Sequence, residues 1–156
     1  MIAPDLAAFL ESGVSVLVGT RDARLVSECQ RALGMRVEPD RAHVTVFVPG
    51  ATGERIVADA RATGRIAICC ARIADHQSIQ LKGEAVELRQ ALESEREFID
   101  RYREAFADAL AMIGMPRATT LRMAHWPCWA IRMRVDSSYV QTPGPGAGRP
   151  LAGTPA

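Results

Sequence analysis

Val44, Val46 and Val48 alternate with His43, Thr45 and Phe47, and this period of two predicts a strand over residues 41–49. Trp129, Ile131, Met133 and Val135 alternate with Arg132 and Arg134 in the same way, which predicts a strand over 129–135. Residues 14–20 and 65–74 are near-continuous apolar runs of strand length, and a turn at 21–23 leads from the first into a further strand over 24–31. In 78–88 the alternation changes phase: Ile79 and Leu81 are apolar at odd positions, Val86 and Leu88 at even ones. A bulge near Gly83 would bend that strand and keep both sets inside. The period becomes helical in 93–114, where Phe98, Ile99, Tyr102, Phe106, Ala109, Leu110 and Ile113 form one stripe that stops at Gly114. Ser94 and Glu97 have the spacing of a capping box. Two shorter helices are expected, one behind Pro4 with Leu6, Phe9 and Leu10 on one face, the other over 54–63 ending at Gly64.

These elements predict a mainly β fold with flanking helices: about six strands, mostly antiparallel because the connections are short, closed into a small split β-barrel. An open α+β sandwich fits the same order. No internal repeat or second domain is visible, so residues 1–141 read as a single domain followed by a Pro/Gly-rich arm over 142–156.

Composition narrows the function more than the fold. The net charge of +1 over 156 residues leaves no basic footprint for nucleic acid. No apolar run has the length of a membrane span and no secretory leader is visible, so a cytoplasmic protein is expected. Cys29, Cys69, Cys70 and Cys128 lack zinc spacing and read as small buried hydrophobes; Cys69 and Cys70, adjacent on a strand, point to opposite faces. His43, His76 and His125 are scattered without ligand spacing, so no metal site is expected.

The chain closes on "QTPGPGAGRPLAGTPA". This segment looks like a glycine-rich phosphate loop but lacks the lysine and hydroxyl residue of one, and its prolines remove N–H donors. It reads instead as an extended arm, ordered through about Gly148, with loose residues after Arg149.

The ordered series "SVLVGTRDARLVSECQRALGMRV", "VTVFVPGATGERIVADARATGRIAICC" and "DHQSIQLKGEAVEL" resembles the pyridoxamine 5'-phosphate oxidase-like flavoproteins, whose fold is the FMN-binding split barrel. The resemblance covers residues 14–139. It implies a homodimer with FMN in clefts between the subunits, the C-terminal arm lying across the dimer, and an oxidoreductase role on a small-molecule substrate. By position it implies Ser27 and Arg31 as contributors from the second strand, and Val46, Phe47 and Val48 as the wall of the third. Arg55 becomes the cation at a helix start, and Ser78, Gln80 and Lys82 the contributors from the strand before the glycine bend. Ser27 stands where the family commonly has arginine, and the tail departs from the true oxidase's ending, so vitamin B6 oxidase activity itself is not implied. Read without the resemblance, Arg55 is a solvated arginine, Gln80 and Lys82 are exposed polar residues, and Arg31 guards a sheet edge. The competing function on the same barrel is a non-catalytic module holding flavin or haem as sensor or store; a deazaflavin-using reductase is a third.

Overall fold

A computed structural model describes residues 1–151. The strands are β1 (Ser15–Arg21), β2 (Ser27–Arg31), β3 (Gly34–Val37), β4 (His43–Pro49), β5 (Arg65–Ala71), β6 (Ser78–Gln90) and β7 (Cys128–Val140). The helices are α1 (Pro4–Leu10), α2 (Glu54–Thr63), α3 (Arg96–Ala111) and α4 (Arg117–Leu121). All seven strands form one sheet in the order β2-β1-β5-β6-β7-β4-β3, antiparallel at every junction and curled into a split half-barrel. The strand missing from the sequence reading is β3, four residues paired to the edge of β4.

The curl has two identifiable corners. Lys82 pairs with Ser137 but Gly83 with Val135, so Asp136 is an extra residue on β7. Ala85 pairs with Met133 but Glu87 with Arg132, so Val86 is an extra residue on β6. Bulges of this kind bend a strand and raise its twist. The phase change in the β6 sequence is therefore real but sits at Val86, not at Gly83. Val86 is the unpaired residue and is 46% exposed, whereas Leu88 packs against the core. Gly83 has a different duty: a Cβ there would strike the carbonyl of Arg134, so the two backbones approach closely only because the side chain is absent.

Inside the curl, Val44, Val46, Val48, Ile68, Leu81, Ile131 and Met133 are buried with Leu10 and Phe9 of α1. Outside it, α3 covers β4 and β7: Phe47, Ile99, Cys128 and Ala130 make a second cluster. The α3 stripe is shorter than its sequence suggests. Ile99, Tyr102, Arg103 and Ala107 are buried, but Ile113 lies beyond the helix and is exposed. The helix entry is secured by Glu95, whose carboxylate accepts from the Leu92 N–H at 2.8 Å; no side-chain cap from Ser94 is present. Arg103 donates to the carbonyl of Leu121 at 2.9 Å and so satisfies the end of α4, a five-residue helix that periodicity does not reveal. Cys70 and Cys128 are buried as expected, whereas Cys29 is exposed and Cys69 half-buried.

The tail turns back within its own chain rather than leading away. Val140 N–H donates to the Arg149 carbonyl at 2.9 Å, Gly148 N–H to Val140 at 2.7 Å and Leu151 N–H to Ser138 at 2.9 Å. Residues 149–151 thereby line the part of β7 that β4, ending its pairing at Arg134, leaves uncovered. The arm is thus ordered along its own β7 as far as Leu151, which packs against the core; residues 152–156 lie outside the described range.

Candidate functional site

The outer face of the sheet, covered by α3 over β4 and β7, is open over β1, β5 and the first half of β6. Strand parity and register place two rows across it. The first runs Arg31, Leu17, Cys69, Gln80 and Tyr139; the second runs Cys29, Gly19, Ala67, Lys82 and Ser137. Ser27 and Ser78 lie on the same face of their strands. The structure therefore brings Ser27, Arg31, Ser78, Gln80 and Lys82 onto a common surface, as the parity of β2 and β6 implies.

A groove of about 650 Å³ crosses this surface. Its floor is Gly19, Ala67 and Ser137; Ser27, Glu28 and Cys29 of β2 form one wall, and Asp136 of the bulge marks the other. A Cβ at Gly19 would meet nothing nearer than the Glu28 carbonyl at 3.8 Å, so a side chain there would stand in the groove itself. Three cations surround the floor: Arg21, Arg65 and Lys82. None has a carboxylate partner among the described residues; Lys82 lies over the Tyr139 ring at 5.0 Å, and Arg21 reaches only the Asp22 carbonyl at 3.5 Å. The acidic residues of the lining are already engaged, Glu28 with Arg55 at 3.3 Å and Asp136 with Arg134 at 3.1 Å. The groove thus combines a flat, small-residue floor with positive charge that lacks internal compensation. That is the chemistry of a site for a planar ligand carrying an anionic group.

Of the predicted residues, only Ser27 and Lys82 line the groove itself. Arg55 begins α2 on the opposite side of β2, where Glu28 and Gln30 also project; Gln30 donates to Thr52 at 2.5 Å. Arg31 donates to Ser15 Oγ at 2.8 Å and lies over the Phe106 ring at 5.2 Å. Arg55 is therefore separated by β2 from Ser27 and Arg31, and the three do not converge within one chain. Val46, Phe47 and Val48 are completely buried, the valines inside the curl and Phe47 beneath α3, so their side chains line no groove. Ser78 donates to the His76 carbonyl at 2.8 Å, and Gln80 accepts from Gln141 at 3.3 Å. Arg21 and Arg65 escape a sequence reading because each terminates a strand, where a charged residue is unremarkable. Their lack of partners becomes visible only once most other arginines are seen paired.

Titration adds little at the groove. Burial raises the Cys69 thiol above its ordinary value, with the neighbouring Cys29 adding to the shift. Among the described residues no group of His, Cys, Asp and Glu is arranged to hold a metal ion. No helix among them is long and apolar enough to cross a membrane.

The curled antiparallel sheet with its two bulges and its outer helix is the split-barrel fold of the pyridoxamine 5'-phosphate oxidase-like proteins. No family model matches the sequence, and no curated protein does. Solved structures do match in fold. HupZ of Group A Streptococcus superposes with a TM-score of 0.57 at 18% identity, covering 95% of this chain and 100% of that one. A putative pyridoxamine 5'-phosphate oxidase from Lactobacillus delbrueckii has a TM-score of 0.55 at 9% identity, covering 88% of this chain and 92% of its own. An FMN-binding protein from Syntrophomonas wolfei has a TM-score of 0.52 at 12% identity, covering 86% and 82%.

Proposed function

We propose that this protein is a flavoprotein that holds FMN in the groove of the uncovered sheet face and acts as an oxidoreductase on a small organic substrate. The observation that carries the reading is the trio Arg21, Arg65 and Lys82, without carboxylate partners among the described residues, around a floor made of Gly19, Ala67 and Ser137. The flat floor accommodates a planar ring, and the cations favour a phosphate or the negative charge of a reduced ring. The bound flavin would supply two-electron chemistry; the chain's part is to position it and to exclude water. The fold shared with a protein described as FMN-binding supports the same reading. The purified protein is expected to be yellow, and FMN titration of colourless protein should saturate. Arg65→Ala and Lys82→Ala should each weaken binding by about tenfold, the scale of one charge-assisted hydrogen bond. Failure of colourless protein to take up FMN in that titration ends the proposal.

A second copy of the chain closes the groove in this reading. Leu17, 37% exposed at the centre of the outer face, is flanked by Cys69 and by Arg31, whose stem extends the apolar surface. Leu17→Asp should convert a dimer to a folded monomer in sedimentation velocity and release flavin with it. A wild-type chain that sediments as a monomer would remove the dimer from the proposal. The engaged state of Glu28 and Asp136 favours a second reading, a flavin store or sensor, since neither carboxylate stands free to move a proton. Turnover of a nicotinamide reductant by the yellow protein separates the two.

A further inference from the structure

A second cavity, of about 470 Å³, lies between α1, the turn joining β3 to β4, and the returning tail. Its walls are core residues rather than surface ones: Ile2, Phe9 and Ile79 are buried, and Leu6, Val135 and Leu151 pack against the same cluster. Arg41 lines it too. The Arg41 side chain makes no hydrogen bond or ion pair among the described residues, yet the residue is only partly exposed. Its backbone is left-handed, with φ of 51°, a conformation that a glycine or asparagine adopts at lower cost. Two hydrogen bonds hold it there: Arg41 N–H donates to Glu38 at 2.8 Å, and Ile2 N–H donates to the Arg41 carbonyl at 2.7 Å.

Of the other charged groups of the lining, the Met1 ammonium belongs to a residue that is largely exposed and so does not duplicate Arg41. Arg134 is neutralised by Glu84 at 2.7 Å and Asp136 at 3.1 Å, while Asp5 sits on α1 at the rim. The Gln77 side-chain amide, also in the lining, adds a neutral donor and acceptor. An apolar chamber with one uncompensated guanidinium fits a ligand with a hydrocarbon body and a single anionic head.

We propose that this cavity is a binding site for a small amphipathic carboxylate, its head on Arg41 and its body against Ile2, Phe9 and Ile79. It is independent of the groove: it opens into the interior of the curl, whereas the groove lies on the outer face, and its ligand requires no flavin.

The test uses decanoate as probe, with decanol and decylamine as charge controls, followed by calorimetry on the full-length chain. Saturable binding of decanoate, at least about tenfold tighter than either control, is expected from one charge-assisted contact. Arg41→Gly suits the left-handed backbone, so the variant should keep or raise its melting temperature while losing that tenfold preference. Leu6→Trp, which fills the chamber from the α1 side, should abolish binding with flavin uptake unchanged. Absence of saturable decanoate binding, or equal affinity in Arg41→Gly, would overturn the proposal. So would binding that emerges only when residues 152–156 are removed, because that segment would then be the occupant.

Discussion

Replacing Glu95 with alanine should destabilise the protein by about 3 kcal/mol, the low end for breaking a buried ion pair, because both of its arginines keep a second carboxylate. The Glu95 carboxylate is buried and accepts a bidentate pair from Arg89, at 2.7 and 2.8 Å, a third bond from Arg36 at 3.1 Å and the Leu92 N–H at 2.8 Å. Arg36 lies 5.9 Å from both the Phe47 and Phe98 rings, so the cluster connects β3, the end of β6 and the start of α3. Removing the carboxylate leaves Arg36 with Glu38 alone, at 3.3 Å, and Arg89 with Glu87 alone, at 3.3 Å. For a domain whose whole stability is of order 5–15 kcal/mol, the loss is visible as a melting temperature lower by roughly 10 °C and a reduced urea midpoint. A change below about 1 kcal/mol would mean that water compensates the arginines.

The same carboxylate sets an acid limb. The Arg89 hydrogen bonds, opposed by burial and helped by the Leu92 N–H, lower Glu95 from 4.5 to about 2. A depressed carboxyl contributes stability that is fully present above its unfolded value of 4.5 and is lost as pH falls through about 2. Wild-type and Glu95→Gln curves of stability against pH should therefore converge toward pH 2 and separate above 4.5.

Gly83→Ala is the second large effect. The added Cβ would run into the Arg134 carbonyl and lie 3.1 Å from Met133 Cγ. The carbonyl cannot turn aside, because β6 and β7 are paired on both sides of the bulge. Overpacking usually costs about 1–3 kcal/mol, and a backbone obstacle puts this case at the upper end or beyond. Loss of soluble expression, or a melting temperature lower by roughly 10 °C, is the expected result. An alanine variant with wild-type stability would show that the bulge can slide. Val86→Thr, at the exposed extra residue of the other bulge, is the control and should be near neutral.

Much of this architecture is legible in the sequence because period-two alternation survives in β4 and β7 and period 3.6 in α3. What is not legible depends on distant partners. β3 is four residues long, and its Arg36 acquires a role only beside Glu95. α4 has five residues and is held by Arg103 from α3. Ile113 and Val86 look like core residues because apolarity is all that a pattern records, yet one lies past a helix end and the other at a bulge. Strand parity places Gln80 and Lys82 on the open face, and of the two Lys82 lines the groove. The engagement of Arg55 by Glu28, and the freedom of Arg21 and Arg65, are facts of pairing that no linear reading contains.

The returning tail bears on how a split barrel stays apart from its own kind. Beyond the reach of β4, one margin of β7 would present open donors and acceptors, a template for strand addition by another chain. Residues 149–151 occupy that template, and Pro150, opposite Tyr139, offers no N–H through which a further strand could be recruited. The prolines and glycines that make the C-terminus look structureless thus act as a stopper against edge-to-edge polymerisation.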